Sequence, residues 1–193
     1  MNLSTFDPEL KKRGLEIVRD LITMADIIDF RSCSYSEHYP EVSHHGPDLF
    51  DLNGIILFSR DQAGNISTTA RIAFDGRSGL PSESLLQPVT SHLRTKETLC
   101  EIGKFVIDDE KESPRLHDYF LAFYLIGVSN RLVYTFLVPE KHCQFYVKHV
   151  GATLAQRNTG QTFGSPGNFS LFLWKPSEST QRFKKWIGIE EQA

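Results

Sequence analysis

Hydrophobic and polar positions along the chain show two periodicities, one typical of strands and one typical of helices, which together predict a mixed α/β fold. Alternating or wholly apolar runs bounded by turn residues predict strands, whereas apolar positions spaced three and four residues apart predict helices. Strands are expected at 14–23, 53–60, 66–74, 98–107, 131–138, 153–157 and 169–174. Helices are expected at 24–39, 85–93, 113–128, 140–150 and 180–186. Segment 14–23 is apolar and only partly alternating, so a helix stays open there as the alternative.

The connections between these elements indicate the sheet topology. Segments 53–60 and 66–74 are separated by a short loop that contains Gly64, which predicts a β-hairpin. The strand–helix–strand succession over 98–138 requires a parallel crossover, which is right-handed almost without exception. The strand at 131–138 is nearly all apolar, as expected of a central strand covered on both faces. The expected fold class is therefore α/β (α+β), with a mixed, mostly antiparallel sheet and helices on both faces.

Composition and charge narrow the functional class. The chain has 193 residues and 40% hydrophobic residues, which favours one domain over 1–193 with a substantial core. A net charge of −3 shows no basic excess of the kind that nucleic-acid binding requires. No apolar run approaches the 18 residues of a membrane span, and the N-terminus does not resemble a secretory signal. We therefore expect a cytoplasmic protein.

Cysteine and histidine usage gives no sign of a metal or disulfide framework. Cys33, Cys100 and Cys143 are odd in number and widely spaced, which is more typical of buried free thiols in a reducing compartment. The adjacent pair His44 and His45 lacks an acidic cluster at metal-ligand spacing. We expect no metal site.

One carboxylate stands out within an apolar strand. Glu101 lies inside the segment 98–107, where burial of an unpaired charge is costly and raises the pKa of a carboxylate. Such a group is a candidate general base. A salt-bridged or edge-exposed glutamate is the alternative. Lys104 would face the opposite side of a regular strand, unless Gly103 marks a β-bulge, which would also leave backbone groups available to a ligand.

A second candidate feature is the start of the helix at 113–128. Ser113 and Pro114 are a typical N-cap and first helical residue, and Arg115 adds positive charge in the first turn. A helix N-terminus binds anions, so this end could hold the phosphate of coenzyme A or of a phosphopantetheine arm. A capped surface helix is the alternative, and the acidic run at 108–112 argues against a purely electrostatic phosphate site.

Four short motifs occur in an order that resembles a known family. They are Arg31-xxx-Tyr35, Asp48-xx-Asp51, the strand residue Arg71 and Glu101-Ile-Gly-Lys104-Phe-Val. This succession resembles the N-acyl-homoserine-lactone synthases and, at least as much, the long-chain N-acyl amino acid synthases. Both belong to the GNAT acyltransferase fold. The resemblance implies a splayed cofactor cleft in the sheet and an enzyme that moves an acyl group from acyl-CoA or an acyl-carrier protein to the amine of an amino acid or similar acceptor.

The resemblance also implies roles for individual residues. The catalytic residues would be Glu101, which deprotonates the attacking amine, and Arg71, which holds the site together. The acceptor would be bound by Arg31, Asp48, Asp51 and Lys104. The donor would be bound by Phe105, Val106, Ile107, Ser113, Arg115 and Leu116, with backbone N–H groups around 103–106 holding the thioester oxygen and the pantetheine amides.

Departures from the family pattern keep alternatives open. Lys104 stands where the family has arginine, and the tryptophan that the lactone synthases carry after the first helix is absent. Residues 111–116 replace the coenzyme A loop of ordinary GNAT acetyltransferases, which keeps a carrier-protein donor open. A small acidic carrier would need a basic patch, to which Arg94, Lys96, Arg115, Lys148 and Arg157 could contribute. The alternatives are a lactone synthase and a non-catalytic GNAT-like module that binds an acyl or pantetheine ligand or a protein partner.

Overall fold

A computed structural model describes residues 5–38, 47–90, 93–107, 114–157, 159 and 169–189 of the chain, without the side chains of 38, 87–90, 114 and 115. Within these residues, seven strands form one sheet. They are β1 (Leu15–Ile17), β2 (Gly54–Arg60), β3 (Ile66–Phe74), β4 (Thr98–Ile107), β5 (Leu132–Pro139), β6 (Thr153–Gln156) and β7 (Phe169–Trp174). Seven α-helices flank it. They are α1 (Asp7–Lys12), α2 (Leu21–His38), α3 (Leu49–Leu52), α4 (Glu83–Thr90), α5 (Pro114–Asn130), α6 (Cys143–Phe145) and α7 (Gln181–Trp186).

The strands are arranged in the order β1-β2-β3-β4-β5-β7-β6. Neighbouring strands are antiparallel throughout, except for the parallel pair β4–β5 that α5 connects. The hairpin, the crossover and the central position of the apolar strand β5 are therefore confirmed, and so is the mixed, mostly antiparallel sheet. None of the helices among the described residues is both long and apolar enough to cross a membrane.

Two predicted elements differ in the structure. The segment 14–23 contains only the three-residue strand β1, because α2 already begins at Leu21, where the side chain of Asp20 accepts a hydrogen bond from the backbone N–H of Thr23. The helical segment over 140–150 is divided into a 3-10 turn, the short helix α6 and a π-helical stretch, Tyr146–Val150. It ends, as predicted, at Gly151, which has a φ of 78°.

Helices cover both faces of the sheet. The main core lies on the α5 face and is rich in aromatic side chains, which include Tyr119, Phe120, Phe123, Tyr134, Phe136, Phe172, Trp174 and Phe183. On the other face, Ile27 of α2 packs against Ile56 and Phe58. Leu86 of α4 packs on that face against Leu99 of β4. The functional residues described next lie on this second face, between α2, α4 and the sheet.

Candidate active site

The sheet opens between its two parallel strands. Strands β4 and β5 pair only from Thr98 opposite Leu132 to Glu101 opposite Thr135. Beyond this point β4 runs on to Ile107 and β5 to Pro139 without pairing to each other. A strand edge that lacks a partner presents backbone N–H and C=O groups to a ligand. The cleft that the sequence predicted is therefore present, and Glu101 stands at its closed end.

A β-bulge lies just inside this cleft. Val106 pairs with Thr69 and Gly103 with Arg71, so β4 carries one residue more than β3 between these two pairs. Lys104 has a φ of 51°, a left-handed conformation that is uncommon for a residue other than glycine. The extra residue reverses the alternation of side chains along the strand. Lys104 consequently lies on the same face as Glu101, whereas the ring of Phe105 lies on the α5 face, 5.0 Å from the ring of Tyr119.

Glu101 is buried and is held by one serine. Its side chain is 7% exposed. The backbone N–H of Ser82 donates to Oε2 at 2.8 Å, and the Ser82 hydroxyl donates to Oε1 at 3.0 Å. Burial raises the pKa of Glu101 to about 7, although the Ser82 bonds and the charge of Arg71 oppose this shift. A carboxylate that titrates near neutrality can accept a proton from a substrate amine.

Two arginines and an aspartate form a buried ion cluster beside Glu101. Arg31 of α2 donates to Oδ1 of Asp51 at 2.8 Å, and Arg71 of β3 donates to the same oxygen at 3.2 Å. All three side chains are at most 3% exposed. Arg31 also donates to the hydroxyl of Thr69 at 3.1 Å. The cluster joins α2, α3 and β3, so it fixes the wall of the cleft as well as carrying charge.

Asp48 and Lys104 form the more open side of the cluster. Asp48 precedes α3 and forms a capping box with Asp51, in which each side chain accepts from the backbone N–H of the other residue. Its Oδ1 accepts from Arg71 at 2.5 Å, and its Oδ2 lies 3.8 Å from Nζ of Lys104. Burial acts to raise the pKa of Asp48, but Arg71 and Lys104 outweigh it and the pKa is lowered. Lys104 also lies over the ring of Tyr35.

The three cations of the cluster are matched by three carboxylates once the neighbouring Glu101 is ionised. Arg31, Arg71 and Lys104 face two carboxylates, Asp48 and Asp51. The buried Nε atoms of both arginines have no hydrogen-bond partner among the residues that the structure describes. Burial lowers the pKa of Lys104, which is the direction expected of a cation that is not fully compensated. Lys104, the most exposed of the three cations, is therefore the group that suits a negatively charged ligand.

The residues expected to bind the donor are described only in part. Phe105, Val106 and Ile107 lie on the part of β4 that no longer pairs with β5. Leu116 packs against the main core from the first turn of α5. Ser113 lies outside the described residues, and the side chain of Arg115 is not described either. No group of three metal-ligating side chains occurs in the described part of the chain.

Two residues that contact the site, Ser82 and Thr69, were not predicted from the sequence. Ser82 was not singled out, because its only signal is a serine before a predicted helix, which is typical of any helix start. Its contact with Glu101 spans 19 residues and depends on the turn between β3 and α4. Thr69 was missed for a similar reason, since a threonine in a strand is ordinary.

The chain is similar in fold to several solved structures whose names give a synthase activity. FeeM, an N-acyl amino acid synthase from uncultured soil microbes, matches with a TM-score of 0.65 and 15% identity over 85% of this chain and 90% of that chain. The acyl-homoserine-lactone (AHL) synthase LasI matches with a TM-score of 0.64 and 11% identity over 90% and 93%. The CoA-dependent AHL synthase BjaI, solved with SAM and isopentyl-CoA, matches with a TM-score of 0.60 and 9% identity over 91% and 90%. At these identities the likeness shows the fold. No curated protein matches the sequence significantly.

The parted sheet with a buried acid at its closed end defines the class of fold as GNAT-like. The model of the family described as N-acyl amino acid synthase FeeM matches residues 27–165, more than two thirds of the chain. The protein belongs to this family, and it is an enzyme that transfers an acyl group to an amine.

Proposed function

We propose that this enzyme transfers an acyl group from a phosphopantetheine thioester to the α-amine of an amino acid, with Glu101 as the general base. The observation that carries the proposal is the position of Glu101, buried at the point where β4 and β5 part. The donor is acyl-CoA or an acyl-carrier protein, and no metal takes part. The whole chain, 1–193, acts as one domain in the cytoplasm. A single sheet containing every described strand supports the one-domain assignment.

The chemistry requires a neutral amine. Glu101 removes a proton from the acceptor ammonium group, directly or through a water molecule, and the amine nitrogen attacks the thioester carbon. The C–N bond forms and the C–S bond breaks. The attacking nitrogen, now positively charged, gives its second proton to the leaving thiolate, which departs as the thiol, and Glu101 releases the first proton to solvent. No covalent intermediate with the enzyme is needed. Backbone N–H groups of the bulged segment, 103–106, stabilise the oxyanion of the tetrahedral intermediate.

The charge of the site supports an acceptor with a carboxylate. Lys104 is the most exposed of the three cations. Its nearest acidic group within the described part of the chain, Asp48 Oδ2, is 3.8 Å away, which is longer than a hydrogen bond. Its ammonium group, which is too far from Asp48 for a hydrogen bond, attracts the carboxylate of an amino acid. Arg31 and Arg71 hold Asp51 and Asp48 in place from behind, and Arg71 also lies over the ring of Phe50.

The donor is proposed to add to the free edge of β4, with its amides replacing the missing β5 pairing. The basic patch that a carrier protein would need is only partly available. Arg94 is bound by Asp75 and Glu83 at 2.7 Å and 2.5 Å, and Arg157 lies 3.6 Å from Glu140. Both acyl-CoA and an acyl-carrier protein should therefore be tested as donors.

The decisive experiment incubates purified protein with long-chain acyl-CoA or acyl-carrier protein and a panel of amino acids, and identifies acylated products by mass spectrometry. S-adenosylmethionine is included in the panel, because an acyl-homoserine lactone formed from it would identify a lactone synthase instead. Glu101→Gln should retain donor binding and lose at least about a hundredfold in kcat. Glu16→Gln, which changes an exposed strand glutamate, is the matched control. A Glu101→Gln rate close to that of the parent enzyme would remove Glu101 from the mechanism.

A further inference from the structure

A serine outside the family motifs makes both hydrogen bonds that Glu101 receives from the described residues. Ser82 lies in the turn that leads into α4, and it is itself only 6% exposed. Its two donors reach different oxygens of the same carboxylate, at 2.8 Å and 3.0 Å. A carboxylate accepts about four hydrogen bonds, so this contact leaves free lone pairs on both oxygens.

We propose that Ser82 is the positioning residue of Glu101, which keeps the carboxylate in one orientation while a lone pair stays available for the acceptor amine. The inference rests on the proposed role of Glu101 as the base. A glutamate side chain loses substantial rotamer freedom when it is ordered. Because Ser82 holds both oxygens before substrate arrives, this ordering does not have to be achieved in the transition state.

Ser82 is itself held in place by its turn. Its carbonyl accepts the backbone N–H groups of Leu85 and Leu86 at 2.9 Å and 3.1 Å. The next residue, Glu83, accepts from the backbone N–H of Leu80 at 3.0 Å and from both terminal nitrogens of Arg94. Arg94 also binds Asp75 at the end of β3. The serine therefore sits on a rigid support tied to the sheet.

The charged groups around Glu101 determine how loss of the Ser82 hydroxyl would change the pKa of Glu101. From β3 it faces Arg71, which favours the ionised form, and from the start of α3 it faces Asp48, which opposes it. Lys104 is engaged with Asp48, and Glu83 is neutralised by Arg94. Hydrogen bonds from Ser82 stabilise the carboxylate, so their loss raises the pKa of Glu101. Activity requires the ionised form, and the acidic limb of the pH profile should therefore move to higher pH.

The test measures kcat/KM against pH for Ser82→Ala and for the conservative Ser82→Thr. Ser82→Ala keeps the backbone hydrogen bond and loses the hydroxyl hydrogen bond. The pKa of its acidic limb should therefore rise by about one unit, and kcat/KM at pH values below this pKa should fall about tenfold. Ser82→Thr should restore the limb. Ser179→Ala is the matched control, because it removes a buried hydroxyl that accepts from Trp174 at 2.9 Å, far along the chain from the site. It should lower stability without moving the limb.

A double-mutant cycle separates this inference from the proposed function. If Glu101→Gln alone keeps near-parent activity, the proposed base is wrong whatever Ser82→Ala does. If Glu101→Gln is impaired, Ser82→Ala should cause no further loss in that background. An acidic limb that does not move in Ser82→Ala overturns the positioning role while the base remains. Should Ser82→Ala fail to fold, Ser82→Cys provides a weaker donor, and its limb must move in the same direction.

Discussion

The buried ion cluster predicts a large loss of stability when one charge is removed. Asp51→Asn preserves the size of the side chain and deletes its negative charge. Oδ1 of Asp51 accepts from both Arg31 and Arg71, while Oδ2 accepts from the backbone N–H of Asp48. The variant leaves Arg71 paired with Asp48 and leaves the buried Arg31 without an ion pair among the described residues.

The magnitude follows from the burial of the three side chains. Removing one partner of a buried ion pair costs about 3–5 kcal/mol, because the other charge stays desolvated. Asp48 is 35% exposed and keeps its bond to Arg71, so solvent and Asp48 compensate part of the loss. We expect about 3 kcal/mol, which lowers the Tm of a chain of this size by about 10 °C.

Urea unfolding followed by circular dichroism, together with thermal melting, measures this difference. Asp26→Asn is the matched control, because Asp26 is an exposed aspartate on the same helix as Arg31. Its free energy of unfolding should change by less than about 0.5 kcal/mol. If the Tm of Asp51→Asn stays within 2 °C of the Tm of the parent protein, this reasoning about buried charge is wrong.

Three further predictions follow from single contacts. Lys104→Met should raise the KM for the amino-acid acceptor about tenfold or more in steady-state assays and leave the donor KM unchanged; equal effects on both would contradict a role in acceptor binding. Burial raises the pKa of Glu101 from 4.5 to about 7, so stability from this group is present below 4.5 and lost as the pH rises through 7. In urea unfolding, the free energy of unfolding of Glu101→Gln should therefore exceed that of the parent by up to about 3 kcal/mol at pH 8 and equal it at pH 4. A gain that does not depend on pH would refute this reasoning. Gly127→Ala should destabilise the enzyme by about 1–3 kcal/mol in the same assay, because the added Cβ would lie 2.6 Å from Pro176 and 2.8 Å from Tyr134, and an unchanged midpoint would contradict the packing.

Much of the fold was predictable because its signals are local. The hairpin β2–β3 and the strand β4 were predicted within one residue of their bounds, since apolar runs flanked by turn residues mark them directly. Strand β1 was predicted too long, because the first residues of α2 are Leu21 and Ile22. Both are more than three quarters exposed, so their apolar character marks no buried face.

The sequence by itself determined the order of the seven strands along the chain, the crossover between β4 and β5, and the choice of Glu101 as an acid out of place in an apolar strand. It gave no sign of the short helices α1 and α3. Only the tertiary structure decided which residues this acid meets. The bulge at Lys104 reverses the side-chain alternation, and pairing between β4 and β5 stops at Glu101; both depend on how neighbouring strands register. Ser82, Arg31 and Asp51 reach the site from separate turns and helices, and contacts between distant segments are set by packing that no local pattern encodes.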